Sequence, residues 1–346
     1  MASRNNHVLT IGAVALAFAL IGLTGYVFYL ATRPTPGGSG VASNASLEVL
    51  EVRIRNLLAK GNWADASVVL EDAVKQFPGD LDIRQRLAEV YQQLATTARD
   101  NGDEAESRRL FAQSYEQWAK IIELGADDAA AYFRAAMAAN AAKLPEAREL
   151  FERAALLDPN KPEYVLNLGL VQYNAGEYDI AQISLLRATR LKPDMAPAWA
   201  MLAQTYLREG SRNVALTQIA RAREIDPVDP NWRIIEADIV AVTDADRAIA
   251  LLETLDERMR RRADVLRIAR NAYGAKGRFR DAAAFYVMAS DHDPTDADVA
   301  LGAADLLDRA GQRERAIEYA RRAEEAGHTG AKKMLDRLMA GADGGR

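Results

Sequence analysis

Leu166-Asn-Leu-Gly169-Leu170-Val-Gln-Tyr173-Asn174-Ala-Gly176-Glu-Tyr178-Asp-Ile-Ala181-Gln-Ile-Ser-Leu185-Leu-Arg-Ala188-Thr-Arg-Leu-Lys-Pro193 reads as two short helices hinged at a glycine. Apolar residues recur three and four apart on both sides of Gly176, which stands where the chain must reverse and a left-handed residue costs least. Leu185 is followed by Ala188 and then Pro193. The same ending recurs at Phe151, Ala154 and Pro159, at Ile219, Ala222 and Pro227, and at Tyr286, Ala289 and Pro294. Each proline stops a second helix. A small residue stands four places before the apolar one. Traced along the chain, that position gives Ala66, Ser114, Ala147, Ala181, Ala215, Ala248, Ala282 and Ala316, spaced 48, 33, 34, 34, 33, 34 and 34 residues apart. Self-similarity at such a period means helical hairpins that bury their apolar faces by stacking on neighbours.

The unit closely resembles the tetratricopeptide repeat, a 34-residue helix-turn-helix. The quoted copy is the fullest match, through Asn167-Leu168-Gly169, Gly176, Tyr178, Ala181, Leu185, Ala188 and Pro193; the next adds Trp199, Leu202, Ala203, Tyr206 and Gly210. The resemblance covers Leu47 to His328. It implies an all-α solenoid of about eight hairpins over residues 47–329, followed by a capping helix and tail over 330–346. Two departures mark irregular places. The second unit is too long by 14 residues, so its helices should each gain about two turns, roughly 10 Å. The sixth lacks both the turn glycine and the terminal proline. Four members of the basic run Arg258, Arg260, Arg261, Arg262, Arg267 and Arg270 are expected at the C-terminus of a second helix, where cations complement the dipole.

The composition, 49% hydrophobic and 7% aromatic over 346 residues, supplies a large aliphatic core. With no Cys and only three His, disulfide frameworks, thiolate chemistry and Cys-ligated metals are excluded, and no catalytic grouping, cofactor loop or metal-ligand spacing can be assembled. Neither an enzyme nor a cofactor is expected. A net charge of −5 argues against nucleic acid as a partner. Asp291, Asp293, Asp296 and Asp298 read as helix-end and N-cap carboxylates, because an EF-hand loop starting at Asp291 would place Asp296 at the turn glycine and Gly302 at the bidentate acid.

Residues 1–7 form a short flank. Residues 8–31 carry no Asp, Glu, Lys or Arg, and a helix of that length, roughly 36 Å, crosses a hydrocarbon core of about 30 Å with some tilt. The run is too long for a signal-peptide core and no Ala-x-Ala follows it, which favours a retained single-pass transmembrane helix. Tyr26 and Tyr29 suit an interfacial belt. Residues 32–46, rich in Gly, Ser and Pro, form a flexible linker reaching about 20 Å. The short N-terminus places the repeat domain on the far side of a bacterial-type inner membrane, in the periplasm.

In the family that the unit resembles, first helices line a concave groove. Counting from the repeat start places Gln85, Arg86 and Glu89 there. Phe133, Arg134, Met137, Asn140, Leu166, Asn167, Leu170, Tyr173, Asn174, Met201, Gln204 and Arg208 form the expected partner-binding surface. Apolar anchors flanked by amides and arginine suit a protein or peptide client. The Lys/Asn/Arg carboxylate clamp of chaperone-binding members is missing from any three consecutive copies. The expected function is a membrane-tethered scaffold or adaptor that organises an envelope complex through its groove; the alternative is an assembly factor or chaperone holding its client transiently.

Overall fold

The computed structural model describes residues 44–343. The expected flank, transmembrane helix and most of the linker lie outside the described residues. Among the described residues no helix is long and apolar enough to cross a membrane. They form 18 helices and no strand, and the chain divides into two compact units, one ending at Pro193 and the other beginning at Asp194.

The first unit holds four hairpins. Helices α1 (Asn44–Ala59) and α2 (Trp63–Gln76) make the first, α3 (Leu81–Asp100) and α4 (Glu104–Glu123) the second, α5 (Ala129–Ala141) and α6 (Ala147–Leu157) the third, α7 (Pro162–Asn174) and α8 (Tyr178–Leu191) the fourth. The second unit continues with α9 (Ala196–Arg208), α10 (Arg212–Ile225), α11 (Pro230–Val240), α12 (Ala245–Glu253), a one-turn α13 (Glu257–Arg260), α14 (Ala263–Ala275), α15 (Phe279–His292), α16 (Ala297–Arg309), α17 (Arg313–Glu325) and α18 (Ala331–Asp343).

The repeat register holds in both units. The eight traced small positions each fall on the second helix of a hairpin, and all are buried, from Ala66 at 0% to Ala147 at 4% exposed. Burial of a small side chain there lets the two helices approach closely. Gly169 shows how closely: a Cβ at that position would stand 2.8 Å from Leu185 Cγ. The turn glycines Gly61, Gly176, Gly210, Gly277 and Gly311 all adopt positive φ. At the third hairpin Lys143 occupies that place with φ 60°. Second helices end as read: the N–H groups of Asp158, Lys192, Asp226 and Asp293 close on the carbonyls of Ala154, Ala188, Ala222 and Ala289, and the proline that follows cannot extend the ladder. Asp229 caps α11, accepting from the Asn231 amide, with Pro230 in the first turn.

The second hairpin is long, as expected, with 20 residues in each helix against 13 in α5. Tyr91, Leu110 and Phe111 carry the first unit's core into it, and the Tyr91 hydroxyl donates to Glu71 at 2.8 Å.

The irregular sixth hairpin buries Trp232, Ile239, Ile249 and Leu252 in the core and carries a charged tie beside them. Glu236 on α11, with a side chain 3% exposed, accepts from Arg223 on α10 and from Arg247 Nε on α12 at 3.1 Å. A buried carboxylate answered by two guanidiniums ties three helices where the repeat signals lapse. The basic run that follows lies elsewhere than the sequence predicts. Helix α12 ends at Glu253, so Arg258 and Arg260 fall in α13, and Arg262 is the N-cap of α14. Asp256 caps the extra turn by accepting from Met259 N–H, which starts a new helix where a continuous one was expected.

Candidate functional site

In the first unit the expected groove residues divide by what they touch. Phe133 packs on Tyr164 and Phe151, with ring centroids 4.6 and 5.7 Å away, so it joins α5 to α6 and α7. Leu170 and Tyr173 are 3% and 5% exposed, and Tyr173 meets the Tyr178 ring at 5.3 Å. Their expected role as an accessible binding face is therefore corrected. Helix α7 packs against both α6 and α8, and a first helix inside a stack loses more of its perimeter than an isolated hairpin would. Asn167 spends its amide on the Glu163 carbonyl at 2.8 Å. Met137, Asn140, Leu166 and Asn174 stay partly exposed.

Polar order on this surface centres on Glu89 of α3. Arg134 Nη1 on α5 and Gln85 Nε2 each donate to its Oε1 at 3.0 Å, and the Arg134 guanidinium lies over the Trp118 ring, 5.2 Å from the centroid. Burial pushes the Glu89 carboxyl above the usual carboxylate range, with Arg134 and Gln85 opposing.

In the second unit Met201 is 8% exposed and so belongs to packing. Gln204 is partly buried, with no hydrogen-bond partner for its Oε1 among the described residues, and Arg208 is exposed.

A second surface lies where the sequence reading did not place a site. First helices α14 and α16, together with α18, border an open cavity of about 660 Å³. Leu266, Val299, Leu301 and Met334 line it, and Tyr286 from α15 reaches it past Gly302. Gly302 is what admits the ring, because a Cβ there would stand 2.5 Å from Tyr286 Cε1. Burial pushes the Tyr286 phenol up, with Arg270 opposing.

Ion pairs between successive first helices border this cavity. Arg270 of α14 meets Asp305 of α16 at 2.8 Å, and Arg337 of α18 meets Asp308 of α16 at 2.8 Å. Arg267 of α14 turns the other way to Asp238 of α11, at 2.7 Å. Asp298 is held by His328 at 3.2 Å. Lys333 lines the cavity without an ion pair among the described residues. The surface so built sets apolar side chains beside charged ones, which suits an amphipathic peptide segment. The same count along first helices that led to Met201, Gln204 and Arg208 reaches Gly302, Asp305 and Arg309 three hairpins later, whereas Arg270 stands at the packing position of Gly169 and Ala203. The signal was therefore present for Gly302 and Asp305 but not for Arg270, nor for the role of α18 as a wall, since its sequence reads as a cap.

The hairpin stack defines a class, the helical repeat proteins. Within it, residues 166–230 match the family model described as tetratricopeptide repeat. Two solved structures span most of the chain. The chain is 17% identical to yeast Tom70, with a TM-score of 0.53, covering 96% of this chain and 71% of that one. It is 14% identical to the Cut9–Hcn1 hetero-tetramer of APC/C, with a TM-score of 0.53, covering 90% and 58%. PilW, a type IV pilus biogenesis factor, is 19% identical with a TM-score of 0.50, covering 66% of this chain and 99% of its own. At these identities the likeness is one of fold. No curated protein matches the chain by sequence.

Proposed function

We propose that this chain is a membrane-tethered tetratricopeptide scaffold that binds a protein or peptide partner, with its main seat in the cavity between α14, α16 and α18. The observation that carries the reading is that open cavity, lined by Leu266, Val299, Leu301 and Met334 together with Arg270, Asp305 and Lys333. The tether rests on the uncharged apolar run over residues 8–31 and the Gly/Ser/Pro stretch after it. Tethering raises effective concentration, so modest intrinsic affinity suffices for assembly. The reading places the repeat domain on the periplasmic side and assigns the chain binding rather than catalysis.

A photo-crosslinking residue placed at Val299 or Met334 of the full chain, in its own membrane, tests the seat. The reading expects a discrete adduct from both positions. Adducts only from Met137 and Leu166 would move the seat to the first unit, and none from any of the four would end the binding reading. Washing after co-purification separates the scaffold, whose partner stays stoichiometric, from an assembly factor, whose client is lost. An alkaline phosphatase fusion at the C-terminus that stays inactive would reverse the orientation.

A further inference from the structure

One imidazole holds the start of α18. His328 follows Gly327, whose positive φ ends α17, and its Nδ1 accepts from the Gly330 N–H at 2.9 Å while its carbonyl accepts from the Ala331 N–H at 3.1 Å. On the other edge of the ring, Nε2 stands 3.2 Å from Asp298 Oδ1 in the first turn of α16. The seat is close-fitting, since a Cβ on Gly330 would stand 3.1 Å from the ring's Cε1. Gly330 and Asp298 both line the cavity between α14, α16 and α18, so the ring touches two parts of its wall. Farther along, α18 is tied independently: Arg313 Nε donates to the Leu338 carbonyl at 2.7 Å, and Arg337 pairs with Asp308.

An Nδ1 that accepts carries no hydrogen, so the neutral ring has its proton on Nε2, toward Asp298. A second proton can go only on Nδ1. There it faces the Gly330 N–H, donor against donor, and turning the ring over puts Cδ2 in that place and restores nothing. Asp298 draws the ring toward its charged form, but the Asp298 side chain is 73% exposed, so that attraction is screened and does not replace the lost turn. The other charged groups on the elements around the ring are Asp296 of α16, Glu324 and Glu325 of α17, and Lys332 and Lys333 of α18. None of them makes an ion pair with it among the described residues. We propose that His328 is a proton-operated latch on the α18 wall of the cavity: neutral, it holds the first turns of α18 in place, and protonated, it lets them go. Those turns carry Lys333 and Met334 into the cavity lining. The consequence for a partner rests on the reading of that cavity as the binding seat.

Hydrogen exchange of the full chain, followed by mass spectrometry at about pH 7.5 and about pH 5.5, spans the range in which histidines ordinarily change charge. It needs no partner. His328→Asn keeps an oxygen that can accept from the N–H two residues on, as Asp293 does from Thr295 at 3.0 Å, but takes up no proton. His328→Ala removes the contact at either pH. Comparing variants at equal pH cancels the intrinsic pH dependence of exchange. Over residues 330–336 the wild type should match His328→Asn at the higher pH and exchange about five-fold faster than it at the lower, the order of one lost hydrogen bond, approaching His328→Ala. Residues 313–325 should show no such change. The chain has three histidines, so nitrogen NMR of labelled imidazoles identifies the His328 signals by their loss in His328→Asn, and at the higher pH should show Nε2 protonated and Nδ1 bare. A hydrogen on Nδ1 at the higher pH overturns the proposal. So does wild type exchanging like His328→Asn at both pH values, or His328→Ala exchanging no faster than His328→Asn. Each of these results is read without a bound partner, so failure of the latch and failure of the binding reading are seen separately.

Discussion

Gly302 lies against the edge of the Tyr286 ring, so near that a methyl group would sit 2.5 Å from Cε1 and 2.6 Å from Cδ1. The ring cannot yield easily, since Tyr286 is 9% exposed and packed among the second unit's core. Gly302→Ala should therefore destabilise the protein by about 1 to 3 kcal/mol through overpacking, and it should also disturb the cavity that Tyr286 lines. Gly274→Ala is the matched comparison. It lies in helix α14 with its nearest neighbour, Phe279 Cε1, at an ordinary 3.8 Å, and should stabilise by roughly 0.5 to 1 kcal/mol because alanine loses less backbone entropy. Urea titration of the two variants should shift in opposite directions.

Lys143 holds a turn that glycine holds elsewhere. Its φ of 60° is the one positive value among the described non-glycine residues. Its N–H closes on the Asn140 carbonyl at 3.1 Å, as the Gly176 N–H does on Tyr173 at 3.0 Å. A side chain in that region costs about 1 kcal/mol. Lys143→Gly should relieve it and raise the melting temperature, by less than the full amount because glycine also gains freedom in the unfolded chain. A lower melting temperature would show that the lysine makes contacts worth more than the strain.

Much of the fold was legible because the repeat states its packing many times over. The position marked by Ala181 recurs eight times and is buried eight times, and each turn glycine named in advance has the backbone conformation assigned to it. The site was less legible, for a physical reason. Arg270 and Asp305 are 35 residues apart, one more than the repeat length, and which partner each takes depends on how successive hairpins stack. Likewise nothing in the composition of Leu170 and Tyr173 separates a residue that greets a partner from one that fills the joint between hairpins; only burial does. The extra turn at Asp256 was hidden by an arginine run that also reads well as a helix end.

The burial of Leu170 and Tyr173 makes a sharp comparison with Leu166. Leu170→Ser together with Tyr173→Ser should cost well over about 4 kcal/mol, because each truncation opens a cavity and leaves a hydroxyl in it. Leu166, one turn earlier on α7 and partly exposed, should tolerate Ser at roughly 1 kcal/mol or less. Thermal melts followed by circular dichroism decide this. A double variant as stable as Leu166→Ser would mean that the α7 face is open after all.

Glu89 gives the first unit a pH dependence of defined sign. Its carboxyl is raised above the usual range by burial, against the pull of Arg134 and Gln85. In the window between its unfolded and folded values the native state binds more protons than the unfolded state, so stability falls as pH rises through that window. Above it, the native state carries the full cost of a buried carboxylate. Below it, the cost is absent. Glu89→Gln removes the titration but keeps a side chain that can accept from Arg134 Nη1, so the difference in unfolding free energy between wild type and variant should move in favour of wild type as pH falls from 7 toward 4.5. Urea unfolding at a few pH values in that range measures it. A difference that moves in favour of the variant on acidification would mean that the pair with Arg134 outweighs burial and holds the carboxyl below its ordinary value.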